Sequence, residues 1–136
     1  MEKIKVEIRW CDKNYACVWG TSDFGSVVVT HKNLDELKSI FEEELEAQIE
    51  DMLADEELLP QYLADKDYTI EYTLHISALL RQASQYTSMA AISKACGINQ
   101  KQLTHYASSL KEPRENQKKR ILSGIQSIGR EILSLH

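Results

Sequence analysis

Residues 88–110, SMAAISKACGINQKQLTHYASSL, predict two short helices joined by a tight turn, which is the helix-turn-helix arrangement. Gly97 lies where the first helix must end, because glycine adopts the left-handed conformation of a helix C-cap without steric cost. Ile98 then fills the turn, and Asn99 is a suitable N-cap for the second helix. Gln102, three residues after that cap, is expected to complete a capping box.

Both predicted helices are amphipathic. Apolar side chains recur at helical spacing on their inner faces, with Ala91, Ile92 and Ala95 in the first and Leu103, Tyr106, Ala107 and Leu110 in the second. The opposite face of the second helix carries Gln100, Lys101, Thr104, His105 and Ser108. Such a stripe suits a helix in the DNA major groove, where glutamine pairs with adenine and lysine with guanine. The same pattern also occurs in purely structural helical domains, so both interpretations stay open.

Charge is divided unevenly along the chain, whose net charge is −5. Residues 1–72 hold 18 Asp and Glu against 7 Lys and Arg, a balance of −11, and residues 73–136 hold 3 against 9, a balance of +6. The basic half favours contacts with phosphates, which gain strength from counterion release. The acidic half would be repelled by DNA, so we expect it to face away and to offer a surface to a basic protein.

The composition predicts a cytoplasmic protein with no membrane association. No apolar run approaches the roughly 20 residues that a bilayer-spanning helix needs, and the N-terminal residues MEKIKVE do not resemble a signal-peptide core. Cys11, Cys17 and Cys96 are not spaced as metal ligands, and an odd number of thiols favours a reducing compartment.

Residues 1–73 are predicted to form a small β-β-β-α-β domain, so that the whole chain is of the α+β class. Strict alternation of apolar and polar residues predicts a strand at 3–10. Two further strands, at 15–19 and 26–31, are expected to continue it as an antiparallel meander. Alternation returns at 68–72, after the helical segment, and predicts a fourth strand.

A long helix is predicted between the third and fourth strands, with Asn33 as its N-cap and Glu36 closing a capping box. Its apolar face consists of Leu34, Leu37, Ile40, Phe41, Leu45, Ile49 and Met52. Its other face is acidic, with Glu42, Glu43, Glu44, Glu46, Glu50 and Asp51. A solvated face is the simpler interpretation of such a run, and a binding surface for a basic partner is the alternative.

Residues 74–136 are predicted to form an all-α domain. A supporting helix at 75–86 precedes the helix pair, Pro113 follows the pair, and a last helix begins at Glu115 or Asn116. In that helix Ile121, Ile125, Ile128, Ile132 and Leu135 recur at spacings of four and three, as in a heptad seam. We expect the seam to pack on its own domain or on a second copy, because many helix-turn-helix proteins bind DNA as dimers.

Two parts of the chain resemble one protein family. Residues 91–133, above all GINQKQLTHYAS at 97–108 and KEP at 111–113, are similar to the Xre or phage-repressor class of helix-turn-helix. The N-terminal element order, with a helix beginning NLDE at 33–36 and a last strand DYTIEY at 67–72, resembles the HicB antitoxin domain, a shortened RNase H-like fold. A HicB-like domain followed by an Xre-like domain is the arrangement of HicB antitoxins.

The resemblance implies an antitoxin of a type II toxin–antitoxin pair. Such a protein neutralises a small, basic, HicA-like RNA-cleaving toxin and represses its own operon by binding double-stranded operator DNA, as a homodimer or a higher homo-oligomer. The charge division is compatible with this, because an acidic domain can cover the RNA-binding surface of a toxin. The alternative is a stand-alone repressor whose N-terminal domain dimerises or senses a small ligand.

The candidate DNA-binding residues follow from the motif. Predicted base-edge contacts come from Gln100, Lys101, Thr104 and His105. Predicted phosphate contacts come from Ser88, Asn99, Ser108, Lys111 and Arg114, with electrostatic support from Lys118, Lys119 and Arg120.

No enzymatic activity, cofactor or metal is predicted. RNase H-like nucleases hold two metal ions with carboxylates on their strands, whereas the acidic cluster of this chain lies on a predicted helix. No Ser/His/Asp pattern, His/Cys metal pattern or glycine-rich phosphate loop occurs in the sequence. We expect His31 and His75 to be structural and Cys96 to be a small core residue.

Overall fold

The computed structural model describes residues 1–135, in which four strands and six helices form an α+β protein. The elements are β1 (Glu2–Cys11), β2 (Asn14–Thr21), β3 (Gly25–His31), α1 (Leu34–Ala54), α2 (Gln61–Ala64), β4 (Tyr68–Leu74), α3 (Ile76–Ala83), α4 (Met89–Cys96), α5 (Gln100–Ala107) and α6 (Glu115–Ser134). The α+β class is confirmed, and the observed order departs from β-β-β-α-β by the short helix α2. The chain divides into two compact units, the first ending at Leu74 and the second beginning at His75.

The strands of the first unit form one sheet in the order β3-β2-β1-β4. The pairs β1–β2 and β2–β3 are antiparallel, as the predicted meander requires. β4 instead runs parallel to β1, with Glu2 opposite Tyr68 and Ile8 opposite Leu74. A parallel pair needs a long crossover connection, and α1 and α2 supply it here.

The core of the first unit lies between α1 and one face of the sheet. Leu37, Phe41, Leu45 and Ile49 of α1 are fully buried, together with Ile4, Val6 and Ile8 of β1. Burial raises the pKa of Cys17, on β2, to about 11, so its thiol is protonated at neutral pH. The hydroxyl of Tyr72, on β4, donates to the carbonyl oxygen of Lys38 at 3.3 Å, and burial raises the pKa of this phenol.

At the start of α1, one hydrogen bond of the predicted capping box is confirmed and the other is replaced. Oδ1 of Asn33 accepts a hydrogen bond from the backbone N–H of Glu36 at 2.9 Å, as predicted. The second half of the predicted capping box is wrong, because the backbone N–H of Asn33 donates to Nδ1 of His31 at 2.9 Å. His31, the last residue of β3, therefore supplies the acceptor that was expected from Glu36. This hydrogen bond is the structural role predicted for His31.

Three helices end in the same way without a glycine. Glu56 after α1, Lys66 after α2 and Ser109 after α5 adopt left-handed conformations, with φ between 53° and 63°. After α5 the backbone N–H of Leu110 returns to the carbonyl of His105 at 2.9 Å, which is the bond of a Schellman motif. Leu110, predicted on the inner face of the second helix, is therefore beyond the helix end and 69% exposed.

Helices α3 to α6 of the second unit surround one apolar cluster, formed by Ile76, Leu80, Ile92, Cys96, Ile98, Leu103, Tyr106, Ala107 and Ile121. Cys96 is a core residue, as predicted. Ala95, predicted on the inner face of α4, is exposed. The buried line of α4 instead joins Ile92 to Cys96, four residues apart, and leaves Ala95 at its edge.

The apolar seam of α6 is divided into two parts. Ile121 is buried, Ile125 and Ile128 pack at the edge of the cluster, and Ile132 and Leu135 are 55% and 84% exposed. The first half of the seam therefore packs on its own unit, which is one of the two predicted arrangements. The second half remains exposed among the described residues.

We expect opposite effects from alanine at the two glycines of α6. A Cβ at Gly124 would lie 2.9 Å from Cβ and 3.0 Å from the backbone nitrogen of Cys96, so α4 and α6 would have to separate. Gly124→Ala should lower the free energy of unfolding by about 1–3 kcal/mol. At Gly129 an added Cβ meets no atom within 4 Å, and Gly129→Ala should raise it by about 1 kcal/mol. Urea denaturation followed by circular dichroism measures both, and equal effects would contradict the close approach.

Candidate nucleic-acid interface

Hydrogen bonds hold α4 at both of its ends. Oγ of Ser88 accepts from the backbone N–H of Ala91 at 3.0 Å, which satisfies one of the free donors of the first turn. At the other end Gly97 has φ 73°, the left-handed conformation predicted for it, and its N–H donates to the carbonyl of Ser93 at 2.9 Å. The hydroxyl of Ser93 in turn donates to the carbonyl of Ile98 at 2.6 Å. The turn is thereby tied back to the helix that precedes it.

Arg120 of α6 binds the same turn from outside. Its Nη2 donates to the carbonyl oxygen of Gly97 at 2.8 Å, and its Nε donates to that of Cys96 at 3.2 Å. These carbonyls end α4 and have no donor in the following turn of a helix. The guanidinium therefore completes the C-cap of α4, a structural role in addition to the electrostatic one predicted for it. No spacing in the sequence indicated this contact, since the partners are more than 20 residues apart.

The start of α5 is capped by Asn99, whose Oδ1 accepts from the backbone N–H of Gln102 at 2.8 Å, as predicted. The side chain of Gln102 does not close a capping box, which corrects that prediction. Its Nε2 donates instead to the hydroxyl of Tyr106 at 2.8 Å. A buried phenol requires a hydrogen-bond partner, and the glutamine one turn earlier on the same helix supplies it.

The outer face of α5 presents polar side chains to solvent. Gln100, Lys101, Thr104 and Ser108 are all exposed. Two of them bond to the helix itself, since Oγ1 of Thr104 donates to the carbonyl of Gln100 at 3.0 Å and Oγ of Ser108 donates to that of His105 at 3.2 Å. The side-chain amide of Gln100 and the ammonium of Lys101 have no hydrogen bond within residues 1–135, so both remain available to a ligand.

His105 differs from the other predicted base-contacting residues. Its side chain is half-buried, and its Nδ1 is enclosed without a hydrogen-bond partner among the described residues. Because Nδ1 is enclosed, a contact from this ring to a base edge would have to use Nε2. The sequence pattern placed His105 on the outer stripe, whereas the structure places it at the border between that stripe and the core.

The end of α5 and the loop after it are anchored to α3. Nε of Arg81 donates to the carbonyl oxygen of Ala107 at 3.3 Å, at the last residue of α5. Nδ1 of His75 accepts from the backbone N–H of Ser77 at 3.1 Å, and its Nε2 lies 2.6 Å from Oε1 of Glu112 in the loop. His75 is therefore structural, as predicted, and it holds the loop that carries the candidate phosphate contacts.

Exposed basic side chains follow α5 in the loop and at the start of α6. Lys111 and Arg114 lie on either side of the buried Pro113 and are exposed, as is Lys119 on α6. Lys118 is less available, because its Nζ lies 3.4 Å from Oε1 of Glu115 and 3.9 Å from that of Glu112. Cations next to an exposed polar helix face are the arrangement that positions a protein on a phosphate backbone.

In the part of the chain that the structure describes, no three or more His, Cys, Asp or Glu side chains are grouped to hold a metal ion. No helix of residues 1–135 has both the length and the apolar character that crossing a membrane demands.

Comparison of the chain with protein-family models, with curated proteins and with solved structures finds no significant match in any of the three. The resemblance to HicB antitoxins therefore stays a prediction, based on the residues that carry it.

The contact of Arg120 with the α4–α5 turn predicts a specific loss of stability. Arg120→Ala leaves two carbonyls at a helix end without their donor, so the free energy of unfolding should fall by about 1–3 kcal/mol. Arg120→Lys should restore only part of this, because an ammonium lacks the planar fork that reaches both oxygens. Lys119→Ala is the matched control, with an expected change within about 0.5 kcal/mol. Urea denaturation measures all three variants, and equal losses in Arg120→Ala and Lys119→Ala would disprove the clamp.

Proposed function

We propose that the unit beginning at His75 is a helix-turn-helix DNA-binding domain and that α5 is its recognition helix. The observation that carries this proposal is that α5 presents Gln100, Lys101 and Thr104 to solvent while both of its ends are anchored. A helix held in this way can enter a major groove without first being ordered, which reduces the cost of binding. Glutamine and lysine at its start suit direct contacts with adenine and guanine.

The phosphate contacts are proposed for the surrounding residues. Ser88 and Asn99 use their side-chain oxygens as caps, which leaves the hydroxyl hydrogen of the serine and the amide hydrogens of the asparagine as donors to phosphate. Lys111 and Arg114, in the anchored loop, complete the proposed backbone contacts. Ser108 joins them by exchanging its hydrogen bond to the carbonyl of His105 for one to a phosphate oxygen. The balance of +6 over residues 73–136 favours the same ligand.

The DNA proposal is tested by replacing the start of the recognition helix. Gln100→Ala with Lys101→Ala should weaken binding to a duplex from upstream of the protein's own gene by about tenfold or more, because each bidentate base contact contributes about 1–3 kcal/mol. Fluorescence anisotropy at a fixed salt concentration measures the dissociation constant.

The matched control is Gln126→Ala with Lys32→Ala, which removes one amide and one positive charge at exposed positions outside the proposed interface. Its affinity should stay within about threefold of the wild-type value. An equal loss in both double variants would refute base contacts from α5 and leave a nonspecific effect of charge.

We further propose that the protein binds its operator as a homodimer. The apolar side chains of Ile132, Leu133 and Leu135 are exposed at the end of α6, and a second copy could cover them. Two recognition helices related by a two-fold axis would then bind the two half-sites of a palindromic operator.

For the first unit we propose the role of an antitoxin, in which the acidic face of α1 binds a basic, HicA-like, RNA-cleaving toxin. All six carboxylates of that face are exposed. Among the described residues, one cation offsets them in an ion pair, since Nζ of Lys66 lies 2.6 Å from Glu50 and 3.4 Å from Glu46. A face that keeps an excess of negative charge can compete with RNA for the same basic surface. Both activities belong in the cytoplasm.

The antitoxin proposal predicts that reversing charge on α1 releases the partner. Glu43→Lys with Glu44→Lys should abolish copurification with the product of an adjacent small, basic reading frame, and should restore the toxicity of that product in co-expression. Glu7→Lys with Glu131→Lys, an equal charge change at exposed positions outside α1, should leave both properties intact. Loss of the partner in both double variants would show an effect of net charge without a defined surface.

A stand-alone repressor is the second candidate function. It shares the α5 interface and differs only in the role of the first unit. Specific binding to the upstream duplex, combined with the absence of any copurifying toxin, would favour it over the antitoxin.

A further inference from the structure

The edge strand β3 has no charged residue, no proline and no bulge among its residues. β3 is the last strand in the order β3-β2-β1-β4, so one side of its backbone has no partner strand in the described part of the chain. Its pairing with β2 runs without a bulge from Gly25 to His31, and its sequence, GSVVVTH, contains no proline, lysine, arginine or acidic residue. Edge strands of monomeric proteins are usually protected by such residues or by bulges. β4, at the opposite edge, carries Glu71.

The sequence of β3 is nearly symmetric about Val28. Val27 and Val29 flank it, and Ser26 and Thr30 follow at the next positions on either side. If two copies of β3 run antiparallel with Val28 opposite Val28, each valine faces a valine and each hydroxyl residue faces a hydroxyl residue. Pairs of β-branched residues and of Ser with Thr are favourable across antiparallel strands. The strand is therefore complementary to a second copy of itself.

The open face of the sheet supports the same register. Val18 of β2 lies directly opposite Val28 of β3, and these side chains are 61% and 66% exposed on the face that α1 does not cover. The charged side chains of that face lie on β1 and β4, among them Lys5, Glu7 and Arg9 of β1 and Glu71 of β4. Pairing of two copies at Val28 would place four valines in one row across four strands, at the uncharged side of the sheet.

We propose that two copies of the chain associate through β3, with antiparallel pairing centred on Val28, to form a continuous eight-stranded sheet. The occupant of the edge is a second copy because the strand matches itself in both side-chain type and register, and because a two-fold axis through Val28 satisfies the outward backbone groups of both copies at once. The residues of this contact are different from those proposed to bind DNA and from those exposed at the end of α6.

The proposed contact should respond to salt in the opposite way to DNA binding. Residues 1–72 carry a balance of −11, so two first units repel each other, and added salt screens this repulsion. Association through β3 should therefore become stronger between low and moderate salt, whereas binding to DNA becomes weaker.

Cysteine cross-linking of the full chain tests the register, in a Cys11→Ser background that removes the one exposed thiol. Opposed residues in antiparallel strands have Cβ atoms about 4.5–5.5 Å apart, so Val28→Cys should give a covalent dimer on mild oxidation. Val18→Cys is the matched control, because its two copies would be three strand spacings, about 14 Å, apart. Ser26→Cys alone should not cross-link, whereas Ser26→Cys mixed with Thr30→Cys should.

Sedimentation equilibrium tests the contact without cross-linking. Val28→Lys would place two ammonium groups opposite each other and should raise the dissociation constant for this association at least about tenfold. Val18→Lys, an equally exposed change on an inner strand, should have a much smaller effect, and circular dichroism confirms that both variants fold. If α6 also associates, wild-type tetramers should become dimers in Val28→Lys.

Several results would overturn the proposal. Val28→Cys that fails to cross-link at any salt concentration leaves the edge unpaired or available to a different chain. Efficient cross-linking of Ser26→Cys alone shows another register. Equal dissociation by Val18→Lys and Val28→Lys shows contact through the open face in place of the edge. None of these results depends on whether α5 binds DNA.

Discussion

The second unit depends on the anchoring of helices that are too short to be stable alone. α3, α4 and α5 have eight residues each, whereas isolated helices shorter than about 12–15 residues are marginal in water. The N–H groups of their first turns and the C=O groups of their last turns have no partner within the helix and need one outside it. Ser88 and Asn99 cap the starts, and Arg120 and Arg81, from neighbouring helices, cap the ends. These contacts, together with the burial of Leu103, Tyr106 and Ala107 in the apolar cluster, fix the orientation of the outer face of α5.

A different constraint organises the first unit. β4 pairs in parallel with β1, which requires a crossover, and the helix that provides it covers one face of the sheet. Because α1 buries one apolar stripe, its carboxylates are collected on the opposite, exposed face. Burial of the apolar stripe would expose these carboxylates equally on a face that is only solvated and on a face that binds a basic partner. The shortage of neighbouring cations favours a surface that attracts a basic partner.

The proposed functions divide along the charge of the chain. The acidic first unit would bind a basic protein, and the basic second unit would bind DNA. The two ligands would therefore use different residues and would not compete for one site. Self-association through β3 would link copies of the acidic unit, while the end of α6 would link copies of the basic unit. Two independent contacts of this kind would build an assembly larger than a dimer.

Local patterns were sufficient for much of this architecture, and the cap positions Asn33, Asn99 and Gly97 are examples, because each acts on residues within four positions. The outward orientation of Gln100 and Lys101 also followed from the sequence, since the buried stripe of α5 leaves them no other side. The contacts that anchor this helix, from Arg120 to the α4–α5 turn and from Arg81 to the end of α5, did not follow from spacing.

Contacts between residues distant in sequence decided the rest. They include the parallel pairing of β4, the bonds of Arg120 to the α4–α5 turn, the division of the α6 seam and the half-burial of His105. In both predicted capping boxes one hydrogen bond is replaced by another. The side chain of Gln102 bonds to the hydroxyl of Tyr106, and the backbone N–H of Asn33 bonds to His31 in place of Glu36. The elements and most of their buried faces could be predicted from the amino-acid pattern, because they depend on periodicity along a few turns. Packing decided which hydrogen-bonding groups of different elements meet, because those groups are distant in sequence.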